Sequence, residues 1–257
     1  MKNVVFMMDI DLGGEGRYSS TRRLPYKYSI SSWKQWCKAN NVELFILDEL
    51  LLPQEQMAIC WQRYYLFEIL EANNITYDQV LMVDADTIIH PECPNFFEMT
   101  DGKMCGVDFD GSYDWVMRSI ENYSKYAFDG YMMPWYKYFD CGFVLVNNSH
   151  KELFKSITDF YNEKSQRLIQ LQDTFHLGTD QTPVNMLTNK HNIDLKLLPY
   201  EFNMSDMNRK NILTTDLLFT KIGWIYQFNC IPNNEESKAT LEWMKNTYEL
   251  LYGKELI

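Results

Sequence analysis

No stretch of this sequence approaches the ~20 consecutive apolar residues that a membrane-crossing helix needs. The start of the chain lacks the cationic opening, long apolar core and small-residue cleavage site of a secretory signal, and begins directly with the strand-like run Val4–Met8. None of the six cysteines (Cys37, Cys60, Cys93, Cys105, Cys141 and Cys230) forms a C-x-x-C pair, which weakens zinc and dithiol readings. His90 and Cys93 are three apart, but no second such pair completes a site. These absences lead us to expect a soluble, cytoplasmic protein with reduced thiols and no membrane span. An excess of positive charge is missing too: 24 Lys and Arg stand against 35 Asp and Glu, a net charge of −11. That balance argues against nucleic acid or an anionic membrane as the main partner. An acidic protein can still bind an anionic substrate if a metal supplies the positive charge. There is no internal repeat, low-complexity tract or domain linker, so residues 1–257 read as one domain.

What is present is an alternation of strand-like and helix-like segments. Val4–Met8, Val42–Leu47, Val80–Val83, Met104–Val107, Gly142–Val146, Leu195–Leu198 and Trp224–Phe228 read as strands. Tyr28–Ala39, with Ile30, Trp33 and Trp36 at helical spacing, reads as a helix, as do Gln54–Leu70, Lys151–Glu163, Asp180–Thr188 and a terminal amphipathic segment, Glu235–Tyr252. Residues 108–139 read as irregular, aromatic and acidic. The alternation predicts an α/β fold of Rossmann-like type, with a mostly parallel central sheet flanked by helices. Hydrophobic residues, at 46%, can build such a core without disulfides.

The most informative segment is Val80-Leu81-Met82-Val83-Asp84-Ala85-Asp86-Thr87. A β-branched apolar run stops at two carboxylates spaced i, i+2, which on a strand point the same way. Asp84 and Asp86 would form a claw where α/β proteins hold ligands. Two hard oxygen ligands suit Mg²⁺ or Mn²⁺, and an ion with few protein ligands completes its shell with substrate phosphates. The bland reading is a strand ending in a polar turn.

Other segments carry polar groups near strand or helix ends. Asp180 in Gly178-Thr179-Asp180-Gln181-Thr182-Pro183 reads either as an N-cap or as a site residue. Asp180, Gln181 and Asn185 could together face sugar hydroxyls. Asp140 and Gly142 precede a strand, where glycine permits a ligand's close approach or merely a bulge. Asn203 and Gln227 place amides after late strands. In residues 108–139, aromatic faces and carboxylates are mixed as a sugar site requires. Trp135, behind Pro134, is the best candidate there for exposure, with Tyr136 beside it, although core packing explains most of these aromatics equally well.

In order along the chain, the set resembles glycosyltransferase family 8, the GT-A-fold enzymes that include glycogenin and bacterial galactosyl- and glucosyltransferases. The resemblance rests on an Arg63-containing helix before Val83-Asp84-Ala85-Asp86-Thr87, Phe96-Phe97 after it, Phe139-Asp140-Cys141-Gly142-Phe143-Val144-Leu145-Val146-Asn147, Gly178-Thr179-Asp180-Gln181 with Asn185, Leu198-Pro199-Tyr200-Glu201-Phe202-Asn203, and Ile225-Tyr226-Gln227-Phe228. It spans roughly residues 2 to 230. It implies transfer of a hexose from a nucleotide-sugar, UDP-sugar favoured, to a glycan, lipid-linked sugar or protein hydroxyl, with retention of configuration. It implies Mn²⁺ or Mg²⁺ on Asp84 and Asp86, with Gln227 at the third ligand's position. It further implies donor contacts from Asp9, Arg63, Asp84, Ala85, Asp86, Gly142 and Asn203, and catalytic roles among Asp180, Gln181 and Asp140; the acceptor contacts expected from Trp135 and Tyr136 rest on the aromatic and acidic stretch itself. Gln227 departs from the family, which has histidine there; an amide oxygen is the weaker and harder ligand. The family's following Lys-Pro-Trp segment is also replaced, by Cys230-Ile231-Pro232-Asn233.

Three other readings compete. Gly13-Gly14-Glu15-Gly16-Arg17 with Thr21-Arg22-Arg23-Leu24-Pro25 faintly resembles a sugar-phosphate nucleotidyltransferase loop, but split in two and preceded by acids. Asp9-Ile10-Asp11 resembles the start of a haloacid-dehalogenase-type phosphatase, without its Gly-Thr continuation. A non-catalytic nucleotide-sugar or glycan-binding protein is the third, motivated by Gln227.

Overall fold

The structure, a computed structural model, describes residues 2–12, 23–109, 111–214, 216–234 and 238–255. The glycine-bearing run from Gly13 to Arg22 lies outside them. Eight strands and seven α-helices follow one another in the described chain. The main sheet has the order β2-β1-β3-β6-β5-β7, and a separate two-stranded ribbon pairs β4 with β8. Strand β1 (Asn3–Met8) lies between β2 (Glu43–Leu47) and β3 (Gln79–Val83), parallel to both. Strand β6 (Phe139–Asn147) runs antiparallel to β3 and to β5 (Met104–Asp108). Strand β7 (Leu195–Leu198) closes the far edge, parallel to β5.

The strands are apolar on both faces because helices cover both. In β1, Val4 and Phe6 face one layer, Val5 and Met7 the other, and all four are fully buried. The first layer holds α2 (Ile59–Gln62), α3 (Leu66–Ala72), α4 (Tyr113–Ala127), α5 (Lys151–Phe175) and α6 (Gln181–Lys190). The second is built on α1 (Arg23–Asn40), whose Trp33 and Trp36 pack with Phe96 and Phe143. A third cluster joins the ribbon of β4 (Thr87–Ile89) and β8 (Ile225–Gln227) to α7 (Lys238–Tyr252). There Tyr252 donates to the Ile89 carbonyl at 2.6 Å and Tyr248 shares a 2.7 Å hydrogen bond with Ser31 of α1.

Several segments differ from the sequence reading: α5 continues to Phe175 instead of ending at Glu163, β6 begins at Phe139 instead of Gly142, and Thr87–Ile89 forms a strand that was not expected. The helix expected over 54–70 begins only at Ile59 and is broken by a 3₁₀ turn at Arg63–Tyr65. Residues before it form a turn on Pro53, and the buried Gln62 amide is spent on Leu51, Leu52 and Met57 backbone groups. The stretch 108–139 is not irregular throughout: Tyr113–Ala127 is a helix, capped by the Ser112 hydroxyl. Its buried positions Val116, Ile120, Tyr123 and Ala127 have helical spacing, which the surrounding aromatics obscure. The terminal helix is seen from Lys238 onward; residues 235–237 lie outside the described chain.

Candidate active site

Asp84, Ala85 and Asp86 form the turn that carries the chain from β3 into β4. Strand β3 therefore ends before the first carboxylate, and the pair sits on a turn rather than within a strand. Neighbouring elements fix that turn. The Asp84 N–H donates to the Gly142 carbonyl on β6 at 3.0 Å, and the Phe228 N–H donates to the Asp86 carbonyl at 2.9 Å. Thr87 donates its hydroxyl to the Asp84 carbonyl and accepts from the Trp33 indole of α1.

The Asp84 side chain stands between a cation and an amide. Arg63 Nη1 lies 2.5 Å from Asp84 Oδ1, and Gln227 Nε2 donates to Asp84 Oδ2 at 2.8 Å. The other arm of Arg63 reaches Asp180 Oδ2, which also accepts from the Tyr64 hydroxyl at 2.7 Å. Thr179 donates to Asp180 Oδ1 at 2.8 Å. The 3₁₀ break thus puts two successive side chains, Arg63 and Tyr64, onto one carboxylate. Asp180 occupies the N-cap position of α6 but makes no side-chain cap; the polar network takes it instead. Burial pushes the Asp84 carboxyl up, against the pull of Arg63, and the Asp180 charge adds to the rise. Arg63 stays charged: despite burial, Asp180, Tyr64 and Asp84 drive it well above its ordinary range. Burial raises Tyr64 as well, so it remains a hydrogen donor.

Gln227 faces Asp84, but with the nitrogen rather than the oxygen of its amide. Its Oε1 accepts from Asn203 Nδ2 at 3.0 Å, leaving Nε2 for Asp84. Gly142 makes room for this: a Cβ there would lie 2.8 Å from both Gln227 amide atoms and 3.0 Å from Asp140 Oδ1. Asp140, at the start of β6, is buried; its Oδ1 accepts from the Gly142 N–H at 2.7 Å. Loss of hydration, reinforced by the Asp84 charge and opposed by the Gly142 N–H, lifts its pKa to about 6.

These groups meet where two cavities adjoin. One, of about 390 Å³, is walled by Phe6, Met8, Ile10, Leu12, Tyr26 and Ile59 at the C-terminal end of β1. The other, of about 420 Å³, is lined by Asp140, Gly142, Gln181, Asp206, Arg209 and Gln227. Arg63, Asp84, Asp86, Thr179 and Asp180 line both. Ala85 is buried against the first; Met8 and Ile10 face it, whereas Asp9 is buried beside β2, its N–H on the Leu47 carbonyl. Asn203 is fully buried and acts through Gln227. Asn185 is also fully buried, but its amide clamps both backbone groups of Phe139, so it shapes β6 instead of facing a sugar. Trp135 and Tyr136 are half or more exposed, and Trp135 meets Tyr113 edge-on at 5.3 Å. Sequence reasoning missed Asp206 and Arg209, which line the second cavity. Asp206 precedes, and Arg209 lies in, the short 3₁₀ turn Met207–Lys210, which no apolar periodicity in the sequence marks.

Among the described residues, no group of three or more His, Cys, Asp or Glu side chains is arranged to hold a metal ion. The donor set is two carboxylates, Asp84 and Asp86, in a cavity where five carboxylates face two guanidinium groups. That set fits a divalent cation that takes its remaining ligands from a bound phosphate rather than from the protein. No helix of the described chain is long and apolar enough to cross a membrane.

No protein-family model matches the chain, and no curated protein matches its sequence. Solved structures do. A glycosyltransferase involved in glycosylation of the major capsid of PBCV-1 superposes with a TM-score of 0.58 at 9% identity, covering 93% of this chain and 98% of that one. The apo structure of the bifunctional glycosyltransferase WbbM superposes with a TM-score of 0.54 at 12% identity, covering 98% of this chain and 50% of that one. At such identities the likeness shows the fold: the mixed α/β, GT-A type of these glycosyltransferases, as the sequence led us to expect.

Proposed function

We propose that this chain is a nucleotide-sugar-dependent hexosyltransferase that moves a sugar from a UDP-sugar to an acceptor hydroxyl with retention of configuration. One observation carries the reading. Asp84, Asp86 and Arg63 lie at the junction of an apolar cavity and a carboxylate-lined one, at the C-terminal end of parallel strands. This is where open α/β sheets bind ligands. The apolar cavity suits a nucleobase and ribose, the junction a diphosphate, and the polar cavity the sugar and the incoming hydroxyl.

A divalent ion, Mn²⁺ or Mg²⁺, would be held by Asp84 and Asp86, and when bound it supplies positive charge to the nucleoside diphosphate leaving group. The chain's own residues do the rest. Arg63 adds a fixed cation beside the same carboxylate, and Asp180 with Tyr64 keeps its guanidinium in place. Gln227 and Asn203 hold the Asp84 side chain. Gln181 and Asp140 line the sugar cavity and orient its hydroxyls toward the reacting carbon. Trp135 and Tyr136 offer exposed faces to the acceptor.

A non-catalytic sugar-binding protein is the second reading, favoured by the Gln227 amide turning its nitrogen to Asp84. Release of UDP separates the two. The wild-type chain with Mn²⁺ should release UDP from at least one UDP-sugar, and Asp86→Asn should abolish release while leaving the melting temperature within ~2 °C, as for a part-exposed polar change. Binding without UDP release across a panel of UDP-sugars and acceptors would favour the second reading. Wild-type turnover by Asp86→Asn would refute the role of the carboxylate pair.

A further inference from the structure

Among the described residues, three large aromatic side chains stand more than half exposed, and they touch one another. They are Tyr113 (59%), Trp135 (51%) and Tyr136 (62%). Tyr113 and Trp135 meet edge-on with ring centres 5.3 Å apart at 90°, and Trp135 meets Tyr136 at 6.2 Å and 83°. Tyr113 opens α4, whereas Trp135 and Tyr136 belong to the 3₁₀ turn Trp135–Lys137 behind Pro134. The resulting platform adjoins the polar cavity. Trp115, in the same first turn of α4 as Tyr113, lines that cavity together with Phe109. Phe109 packs against Trp115 at 5.9 Å and against Tyr138 at 5.7 Å. Its N–H donates to the Tyr138 carbonyl at 3.4 Å, and the Tyr138 N–H donates to the Trp135 carbonyl at 3.0 Å. The aromatic turn is thus fastened to the cavity wall.

Size and charge narrow what covers it. An aromatic side chain carries about 150–250 Å² of surface, so three at half exposure present about 350 Å². Contiguous exposed patches of that size mark binding sites. The area is less than half of the about 800 Å² that one partner buries in a standard protein interface, too little for a stable dimer or a docked protein. The flanking charges are one of each sign, Asp114 beside Tyr113 and Lys137 beside Tyr136, both exposed. In a chain of net charge −11 they provide no basic field for a nucleic acid or an anionic membrane. A neutral ligand with apolar faces and hydroxyl edges fits: aromatic faces cover sugar C–H surfaces, while tyrosine hydroxyls and Asp114 bond sugar hydroxyls. With one ring for each sugar, the platform reaches further than a monosaccharide can fill. We propose that the acceptor is the end of a neutral glycan chain, and that Tyr113, Trp135 and Tyr136 hold the sugars behind the one whose hydroxyl reacts. This rests on the sugar-transfer reading above and names its acceptor class.

The test is calorimetric binding to the full chain with Mn²⁺, first of UDP and then of cello-, malto-, chito- and β-galacto-oligosaccharides, each series running from the monosaccharide to the tetrasaccharide. In at least one series the wild type should bind the trisaccharide ~10-fold or more tightly than the monosaccharide, as stacking on two further rings supplies. Trp135→Ala should flatten that dependence on length while leaving UDP binding and the melting temperature unchanged. Leu250→Ala, which removes a comparably exposed apolar side chain from α7, should change none of these. No dependence on length in any series overturns the proposal, as does a dependence that Trp135→Ala leaves intact. Self-association in sedimentation, or binding to phosphatidylglycerol vesicles, overturns it too if Trp135→Ala abolishes either, because the platform then serves a second copy or a membrane. If UDP binds and no oligosaccharide does, only this proposal fails. If UDP itself does not bind, the nucleotide-sugar reading fails, and the oligosaccharides alone decide the platform.

Discussion

Asp140 is a buried carboxylate whose charge weighs against folding. Its carboxyl is buried and carries a pKa of about 6 where 3.8 is ordinary, although the Gly142 N–H and the Ser205 side chain both pull it down. The sign follows from proton linkage. The unfolded chain loses this proton near pH 4 and the folded one only near pH 6, so folding becomes less favourable as pH rises through that window. Above pH 6 the cost is on the order of 3 kcal/mol. Asp140→Asn keeps the acceptor for the Gly142 N–H and removes the charge. The variant should melt higher than wild type at pH 8, and the advantage should shrink toward zero between pH 6 and pH 4. A constant difference in melting temperature across that range would mean that Asp140 carries no raised pKa. Asp84 and Asp86 were legible as a pair from their spacing and the apolar run before them. Asp140 and Asp180 were legible as polar residues at a strand start and a helix start, but their distant partners were not: Asp180 with Arg63, for example, spans 117 positions. Nothing local in Ser205-Asp206 points to a cavity.

At the scale of elements, two glycines on neighbouring strands separate site geometry from packing. Gly142 faces Gln227 and Asp140, whereas Gly106 faces the Phe139 ring, where a Cβ would lie 2.8 Å from three ring-side atoms. The β5–β6 register shifts between Gly106 and Val107, so the strands already bend there. Gly106→Ala should overpack the core and cost about 1–3 kcal/mol, read as a lower urea midpoint. Gly142→Ala meets the movable end of a side chain instead. It should push Gln227 off Asp84, reducing UDP release by more than ~10-fold while costing less than about 1.5 kcal/mol of stability. Equal stability losses with equal activity losses would show that the Gln227–Asp84 contact has no role of its own. Seven of the eight strands were readable because each is a short apolar run bounded by polar turns, and apart from β6 their ends move by only a residue; the short β4, directly after the carboxylate turn, was not read. Helices α2 to α4 were harder. The apolar spacing over 54–70 continues through a 3₁₀ break that only the pull of distant carboxylates marks. The spacing over 113–127 is buried in a run of aromatics that suits a loop as well as a helix.

At the scale of the molecule, the ribbon of β4 and β8 belongs to the terminal helix as much as to the sheet. Tyr252 and Tyr248 tie α7 to β4 and α1, and Met244 and Tyr248 fill the third cluster with Tyr226 and Ile88. Removing residues 238–257 should therefore loosen the ribbon first. Hydrogen exchange should lose protection at Thr87–Ile89 and Ile225–Gln227 while β1 and β3 stay protected, since local opening follows the local loss of buried contacts. Uniform loss across all strands would show that α7 supports the whole fold cooperatively. The order of synthesis gives the same ribbon another meaning. Strands β1, β2 and β3 come from the first third of the chain and can pair as soon as they are made, but Gln227 meets Asp84 across 143 positions. A nascent chain still on the ribosome holds the Asp84 turn with no amide against it and no second strand beside β4. Chains elongate at about 5–20 residues per second, so this unfinished turn stays open for several seconds, with the apolar inner face of β4 uncovered. That interval, rather than the finished protein, is where aggregation or chaperone capture would act.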